Sequence, residues 1–343
     1  MQRLFKILMP LAMALVAGSA WAHQAGWRQF TVAPVGDSPP ITVALFYPTR
    51  APARALALGP FAIHVAPEGP PEATTRGLIV FSHGTGGSEL AHSILAEALA
   101  RDGFLVAVPR HPGDNWQDRS LLLDRSGAYF SERPRQVSRV IDALLSDPQW
   151  GARIARDAKG PRIGAVGHSA GGYTVLALGG GEADPARIAS HCRDEASDDP
   201  IFCALSDRAR VSAPAAMATS TRARAGTTSA DPRVRAIVAL APLGVVFTPR
   251  SLAAMRIPVA VYEAEGDRFL VPRFHAEWIA GQVPGVEMHR VANAWHFAFV
   301  DPPTVPVTSE DGDIGADPSG FDRQAFLTQL ARELGDFFGR QFP

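Results

Sequence analysis

Residues 167–172 read GHSAGG and match the pattern G-x-S-x-G. A short apolar run of strand type, residues 162–166, precedes them, and an apolar helix pattern begins at Tyr173. In this strand–turn–helix context the serine occupies a strained turn, where side chains at the flanking glycine positions would collide with the strand or the helix. The pattern therefore predicts that Ser169 is a nucleophile at the tip of a sharp turn, rather than an incidental serine in a glycine-rich loop.

A nucleophilic serine needs a general base, and in proteins with this turn an acidic residue and then a histidine follow the serine along the chain. The acidic residue is expected in a loop just past a later strand. The apolar run at residues 259–262 leads into EAEGD at residues 263–267. Asp267 lies farthest into the loop and is the best candidate, Glu265 is the alternative, and Glu263 is expected to remain in the strand.

Three histidines follow these acidic residues. His275 begins a predicted helix, His289 lies within a predicted strand, and His296 lies in a loop past the last predicted strand. Only a histidine in such a loop can reach over the serine. The order therefore predicts His296 as the general base, and the other two as structural or surface histidines.

Attack of a serine on a carbonyl group also needs two backbone N–H groups that bind the negatively charged oxygen of the intermediate. One comes from the residue after the nucleophile, which is Ala170. The other must come from an earlier loop, and the loop HGTGG at residues 83–87 supplies Thr85. A phosphate-binding loop is not indicated, because Gly-Lys-Ser/Thr is absent and the glycines do not fit G-x-G-x-x-G.

Four further residues are predicted to line the pocket. Asn115 and Trp116 belong to HPGDNW at residues 111–116, which follows a predicted strand at the same edge of the sheet and fits a turn equally well. Trp295 directly precedes the predicted base and forms either an apolar wall or part of the core. His83 is expected to brace its loop rather than to carry out acid/base chemistry.

The remaining pattern predicts an α/β fold with a mostly parallel central sheet covered by helices on both faces. Residues 29–32 and 41–47 alternate apolar and polar side chains, which indicates an antiparallel opening hairpin. The buried strands are predicted at residues 78–82, 104–108, 163–166, 236–240, 259–262 and 286–291. Helices are predicted within residues 88–100, 136–145 and 321–338.

One insertion, about residues 181–232, precedes the sixth predicted strand and shows no steady apolar period. Within it, residues 211–230 either overhang the site as a lid or form a surface loop without a role. The insertion also holds the two cysteines of the chain, Cys192 and Cys203. In an oxidising compartment these are expected to form a disulfide, and two free buried thiols are the alternative.

The expectation of an oxidising compartment comes from residues 1–22. They combine a cationic start, an apolar run and the small-residue site Ala20-Trp21-Ala22, which is the arrangement of a cleaved signal peptide. The apolar run is shorter than the ~20 residues that a spanning helix needs. We therefore expect export to the periplasm or the medium, with residues 23–343 forming one domain and no stable membrane insertion.

Charge and acidic spacing exclude two other classes of function. The formal net charge is −1 with no basic block, so the electrostatic footprint of a nucleic-acid-binding protein is missing. Asp311, Asp313 and Asp317 are spaced somewhat like calcium ligands but fit the EF-hand loop poorly, so no metal site is predicted.

Several motifs together carry a resemblance to a known family. They are residues 82–87 (SHGTGG), 111–115 (HPGDN), 167–172 (GHSAGG), 266–267 (GD) and 296–297 (HF). Together they resemble an α/β-hydrolase, and more narrowly the bacterial predicted dienelactone hydrolases related to platelet-activating-factor acetylhydrolase. The resemblance extends from about residue 46 to about residue 301.

The resemblance implies roles for five residues: Ser169 as nucleophile, Asp267 and His296 as its partners, and the N–H groups of Thr85 and Ala170 as oxyanion hole. The chain departs from true dienelactone hydrolases in having a serine where they use a cysteine nucleophile. A dienelactone substrate is therefore not expected.

These observations predict an exported serine hydrolase that cleaves small or short-chain carboxylic esters through an acyl-enzyme and without a cofactor. The weaker apolar character of the insertion, compared with a large lipase cap, favours the short chain. The alternatives are a short-acyl phospholipid acetylhydrolase, a serine peptidase on the same fold, and a non-enzymatic binding protein.

Overall fold

The computed structural model describes residues 23–124, 127–212, 229–309 and 312–343. The predicted signal peptide, most of the predicted lid stretch and Asp311 lie outside the described residues. The strands are β1 (Gln24–Val32), β2 (Ile41–Thr49), β3 (Arg54–Leu58), β4 (Phe61–Pro67), β5 (Leu78–Ser82), β6 (Leu105–Pro109), β7 (Arg156–Asp157), β8 (Gly160–Pro161), β9 (Ile163–His168), β10 (Val234–Leu240), β11 (Val259–Ala264), β12 (Glu287–Val291), β13 (Thr308–Ser309) and β14 (Gly312–Asp313). The α-helices are α1 (Ser93–Arg101), α2 (Ala128–Ser146), α3 (Ala170–Leu178), α4 (Pro185–Asp194), α5 (Pro200–Ser212), α6 (Pro249–Ala253), α7 (Ala276–Gln282) and α8 (Arg323–Gln341), and short 3-10 helices span Pro272–Phe274 and His296–Phe299.

Ten of the described strands form one sheet in the order β12-β11-β10-β9-β5-β6-β2-β1-β4-β3. The run from β12 to β6 is parallel throughout. At β2 the direction reverses, and β2 pairs with β1 as the predicted hairpin. The predicted mostly parallel α/β architecture is therefore confirmed, with an extension beyond β6 that is antiparallel except where β1 pairs with β4.

Successive side chains of the central strands enter opposite cores. In β5, Leu78 and Val80 pack on the same side as Val137 and Ile141 of α2, whereas Ile79 and Phe81 pack on the other side with α1 and α8. A strand in the middle of a parallel sheet buries both faces, which explains why the sequence shows continuous apolar runs there. The carboxyl ends of these strands all point to one edge of the sheet.

Where the structure describes the insertion, before residue 213, it forms two helices, α4 and α5, although the sequence has no steady apolar period. Both begin with a proline, and the Asp184 side chain caps α4 by accepting the Ala186 N–H at 3.0 Å. Proline at the first turn and an acidic cap are helix-start signals that do not depend on apolar spacing. Cys192 and Cys203 join the two helices through a disulfide, as predicted.

Helices long enough and apolar enough to cross a bilayer do not occur within the described part of the chain.

Replacing both Cys192 and Cys203 by serine should lower the free energy of unfolding by about 3 kcal/mol in the chain-entropy model. The bond closes a loop of sequence separation 11, so its loss frees the unfolded segment. Urea unfolding followed by circular dichroism, with and without dithiothreitol, measures the difference. Dithiothreitol should lower the free energy of unfolding of the wild type to that of the variant and leave the variant unchanged. Equal stability of the two proteins without dithiothreitol would contradict the prediction.

Candidate active site

Ser169 occupies a strained turn between β9 and α3. Its backbone angles, φ 58° and ψ −117°, lie in a region that non-glycine residues rarely adopt, at a cost of about 1–3 kcal/mol. The surrounding backbone holds it there. The Ser169 N–H donates to the Leu240 carbonyl at 2.9 Å, and its own carbonyl accepts N–H groups from Tyr173 and Leu243, both at 3.1 Å.

The glycines of the motif leave no room for a side chain. A Cβ atom at Gly167 would lie 2.0 Å from the Gly171 carbonyl oxygen, and one at Gly171 would lie 1.9 Å from the Ser82 carbonyl oxygen. At Gly172 it would lie 2.6 Å from Pro242. The turn is therefore pressed against the ends of β5 and β10, and the G-x-S-x-G pattern has a steric cause in this chain.

His296 is hydrogen-bonded to Asp267, and both side chains are buried. The His296 Nδ1 atom lies 2.7 Å from Asp267 Oδ2, while Asp267 Oδ1 accepts the N–H groups of Phe269 and Leu270 at 2.8 and 2.9 Å. An ionised carboxylate only accepts, so the Nδ1 atom carries the proton. That arrangement leaves His296 Nε2 as a proton acceptor.

The alternative acid, Glu265, does not face the histidine. Its carboxylate accepts the backbone N–H of Asn293 at 3.0 Å and so braces the loop after β12. Glu263 remains within β11, as expected, and its carboxylate lies 3.1 Å from Arg290. Of the three acidic residues within the sequence EAEGD, only Asp267 is hydrogen-bonded to the histidine.

His168, the variable residue of the motif, supports the segment that carries His296. Its Nε2 atom lies 3.0 Å from the His296 carbonyl oxygen, and its ring lies 4.9 Å from the His296 ring. Burial, assisted by the nearby His296, lowers the pKa of His168 well below its usual value. A neutral His168 therefore donates Nε2–H to that carbonyl. Sequence analysis treated this position as spacing only, because its partner lies 128 residues away.

Ser169 and His296 line the same cavity, which has a volume of about 1940 Å³. Thr85 and Ala170, the two predicted oxyanion donors, also line it. Gly84 lies directly against the serine, since a Cβ atom there would be 3.2 Å from the Ser169 Cβ atom. The structure thus brings the predicted nucleophile, base and donor residues to one cavity.

A buried polar network holds the loop that contains Thr85. The Thr85 hydroxyl lies 2.9 Å from the Tyr129 hydroxyl, and the Tyr129 hydroxyl donates to Asp114 Oδ2 at 2.8 Å. Asp114 Oδ1 accepts the Gly86 N–H at 2.9 Å, and Asp114 also pairs with Arg133. The Asp114 and Arg133 side chains are fully buried. Thr85 is a predicted donor and Asp114 belongs to HPGDNW, but no sequence signal points to Tyr129 or Arg133, because the network joins loops and helices far apart in the chain.

Three of the four residues predicted to line the pocket do not belong to its wall, and only Trp116 does. His83 is buried, and it braces its loop as expected, since its Nδ1 donates to the Gly84 carbonyl at 2.7 Å. The Asn115 side chain turns inward and donates to the His111 carbonyl at 2.8 Å. The turn alternative for HPGDNW therefore accounts for Asn115.

Trp295 lies outside the cavity wall and packs against the Arg268 guanidinium, which lies 4.3 Å from the centre of its ring. The other two histidines also have structural partners. His275 is buried and lies 3.0 Å from Asp199, and His289 stacks on Tyr262 at 4.4 Å. Among the described residues, no group of three or more His, Cys, Asp or Glu side chains is arranged to hold a metal ion.

Comparison with known proteins identifies related folds. A model of the alpha/beta hydrolase family matches residues 79–306, which is more than half of the chain. A ferulic acid esterase from Streptomyces cinnamoneus has 20% sequence identity and a TM-score of 0.59, over 94% of this chain and 91% of that chain. A dienelactone hydrolase from Anabaena variabilis has 14% identity and a TM-score of 0.50, over 93% and 99%. No curated protein matches the sequence. At these identities the two structures show a shared fold.

Substituting Gly171→Ala should destabilise the protein by at least about 3 kcal/mol, because backbone oxygen rather than a movable side chain occupies the Cβ position. The matched control is Gly281→Ala in α7, where a Cβ atom meets nothing within 4 Å. That control should be neutral or stabilising by up to about 1 kcal/mol. Urea unfolding of both variants measures the difference, and equal stability would contradict the steric explanation.

Proposed function

The chain belongs to the alpha/beta hydrolase family, and from that premise we propose that it is a serine hydrolase that cleaves carboxylic esters. One observation carries the proposal: His296 is hydrogen-bonded to Asp267 and shares a cavity with Ser169, which sits in the strained turn. The names of the two structural neighbours, an esterase and a dienelactone hydrolase, support the same class of reaction.

The proposed reaction begins when His296 Nε2 takes the proton of the Ser169 hydroxyl as the oxygen attacks the ester carbonyl carbon. The tetrahedral intermediate then collapses, His296 gives the proton to the departing alcohol oxygen, and the acyl group stays on the serine. Water attacks this acyl-enzyme with His296 again as base, which releases the acid and restores the serine. Asp267 holds the imidazole in the required tautomer and stabilises its charged form.

The negatively charged oxygen of each intermediate would accept the N–H groups of Thr85 and Ala170. Ala170 is the first residue of α3, so its N–H has no partner within the helix and points toward the helix start. The positive end of the helix dipole adds to the attraction. A donor of this kind typically contributes about 10²–10³-fold to kcat.

We also propose that the protein is exported. The arrangement at residues 1–22 favours a cleaved signal, and the disulfide between Cys192 and Cys203 suits an oxidising compartment. Expression with the native N-terminus in a bacterial host tests this: mass spectrometry of the periplasmic fraction should find a chain that begins at His23. An uncleaved cytoplasmic chain would contradict export without affecting the proposed chemistry.

Ser169→Ala and Asp267→Asn test the chemistry. Relative to the wild type, kcat for p-nitrophenyl esters should fall by about 10⁶-fold in Ser169→Ala and by about 10⁴-fold in Asp267→Asn. The matched control is Glu265→Gln, which keeps the oxygen that accepts the Asn293 N–H and should stay within twofold of the wild type.

These variants, together with a p-nitroanilide substrate, separate an esterase from a peptidase and from a binding protein. Retained activity in folded Ser169→Ala, or an equal loss in Glu265→Gln, would contradict the assignment. A p-nitroanilide cleaved faster than the matching ester would favour a peptidase, and a folded wild type that cleaves neither would favour a binding role for the fold.

Tyr129→Phe tests whether the buried network positions the Thr85 N–H. The change removes the hydroxyl that bonds both Thr85 and Asp114, so kcat for p-nitrophenyl acetate should fall about tenfold while KM stays within twofold. The matched control is Tyr173→Phe, whose hydroxyl donates to the Phe130 carbonyl at 2.7 Å.

The control removes a comparable bond without touching the Thr85 loop. Phe130 needs the Tyr173 hydroxyl because Pro134, four residues on in α2, has no N–H to offer. Both variants should lose about 1 kcal/mol of stability, and only Tyr129→Phe should lose kcat. Equal kcat in the two variants would show that Tyr129 is merely structural.

A further inference from the structure

The cavity next to Ser169 is much larger than a short ester needs. Its volume of about 1940 Å³ compares with about 300–1000 Å³ for most pockets that bind drug-sized ligands. Apolar side chains from many separate parts of the chain supply most of its wall. A short ester would leave most of this apolar surface in contact with water.

One part of the cavity, the helical lobe, lies on the β10 side of the serine. Its wall includes Ile188 from α4 and Phe202 and Leu205 from α5. These helices are anchored beside β10 and α7, because the Asp184 N–H donates to the Val246 carbonyl at 2.8 Å and Asp199 bonds His275. The helical lobe therefore extends away from β5.

The other part, the strand lobe, lies toward the opposite face of the sheet: Trp27 and Leu58 pack against the core of α1 and α8, whereas Ile188 and Phe202 belong to the core of α2. Its wall includes Trp27 from β1, Leu58 from β3 and Phe61 from β4. In the sheet, β1 lies four strand spacings from β9, which carries Ser169 at its end. The β3–β4 hairpin folds back toward the site, because Phe61 packs with Val300, four residues after His296. The wall of the cavity that holds Ser169 thus draws apolar side chains from both faces of the sheet.

The charged residues of the strand lobe do not favour an anionic head group. Arg110 lies in the wall but pairs with Glu89, also in the wall, through its Nε and Nη2 atoms, and its Nη1 atom donates to Gln117 Oε1 at 3.1 Å. The pair is neutral as a unit, so a phosphate there would have to displace a carboxylate. A phosphate is therefore disfavoured at this pair, and apolar contact is the main source of binding offered by Trp27, Leu58 and Phe61.

We infer that the substrate is an ester with a large apolar group on each side of its carbonyl carbon, such as a medium- or long-chain fatty acid joined to an apolar alcohol. This inference rests on the proposed ester hydrolysis at Ser169. One lobe receives the acyl chain and the other receives the alcohol. Each methylene moved from water into either lobe should raise kcat/KM by up to about fourfold, until the lobe is filled.

The first test compares esters on the wild type below their solubility limits. The kcat/KM for p-nitrophenyl decanoate should exceed that for p-nitrophenyl acetate by at least about 100-fold, and decyl acetate should exceed ethyl acetate similarly. A preference for acetate, for ethyl acetate or for a short-acyl phospholipid would overturn the inference while leaving ester hydrolysis intact. A folded wild type that cleaves none of these esters would overturn the proposed function, and this inference with it.

The second test fills each lobe in turn. Leu205→Trp narrows the helical lobe, and its control is Ala204→Trp, on the neighbouring exposed position of α5 outside the wall. Leu58→Trp narrows the strand lobe, and its control is Ala57→Trp, which points to the other face of β3.

Each filling variant should lower kcat/KM at least tenfold for one long ester, either p-nitrophenyl decanoate or decyl acetate. The two variants should affect different esters. Circular dichroism and urea unfolding check that the variants are folded. The two controls should match the wild type on every ester. Long-ester activity that survives both filling variants would overturn the assignment of the lobes.

Discussion

The steric constraint at Ser169 determines the geometry of the whole site. The serine can adopt its strained conformation only because Gly167 and Gly171 let β9, β5 and α3 approach to backbone contact. That approach brings the loop after β5 against the serine and directs the first N–H groups of α3 toward the same point. The strain is balanced by three backbone hydrogen bonds around Ser169, so the turn is held by the sheet and not by local sequence preference.

A second set of interactions fixes the loop that the turn approaches. Arg133 and Asp114 are charged and fully buried, and removing each ion from water costs several kcal/mol. The cost is offset because Arg133 also donates to the His83 carbonyl and to Thr174 Oγ1, the latter at 3.0 Å. Apolar side chains of similar size could fill the space as stably, but they could not hold the N–H of Gly86. The network is therefore better explained by positioning than by stability.

The parts that sequence analysis predicted are those that follow from chain order and steric necessity. The sheet, the turn at Ser169 and the pairing of Asp267 with His296 depend on short motifs whose place in a parallel sheet is set by topology. The network around Arg133 could not be predicted, since its partners lie up to 51 residues away and no spacing rule connects them. The size of the cavity was missed for a related reason: its apolar wall comes one or two side chains at a time from separate elements.

The cavity also explains why the helices beside it carry unusual cross-links. A helix that lines open space lacks packing partners on that face and loses the dispersion contacts that normally hold it. Here a disulfide between Cys192 and Cys203 joins α4 to α5, and Asp199 accepts from His191 and from the core residue His275 at 2.8 and 3.0 Å. Burial alone would raise the pKa of Asp199, but the two histidines lower it and keep the carboxylate available as an acceptor. Covalent and polar links thus add to the apolar packing that Phe202 and Cys203 make on the core.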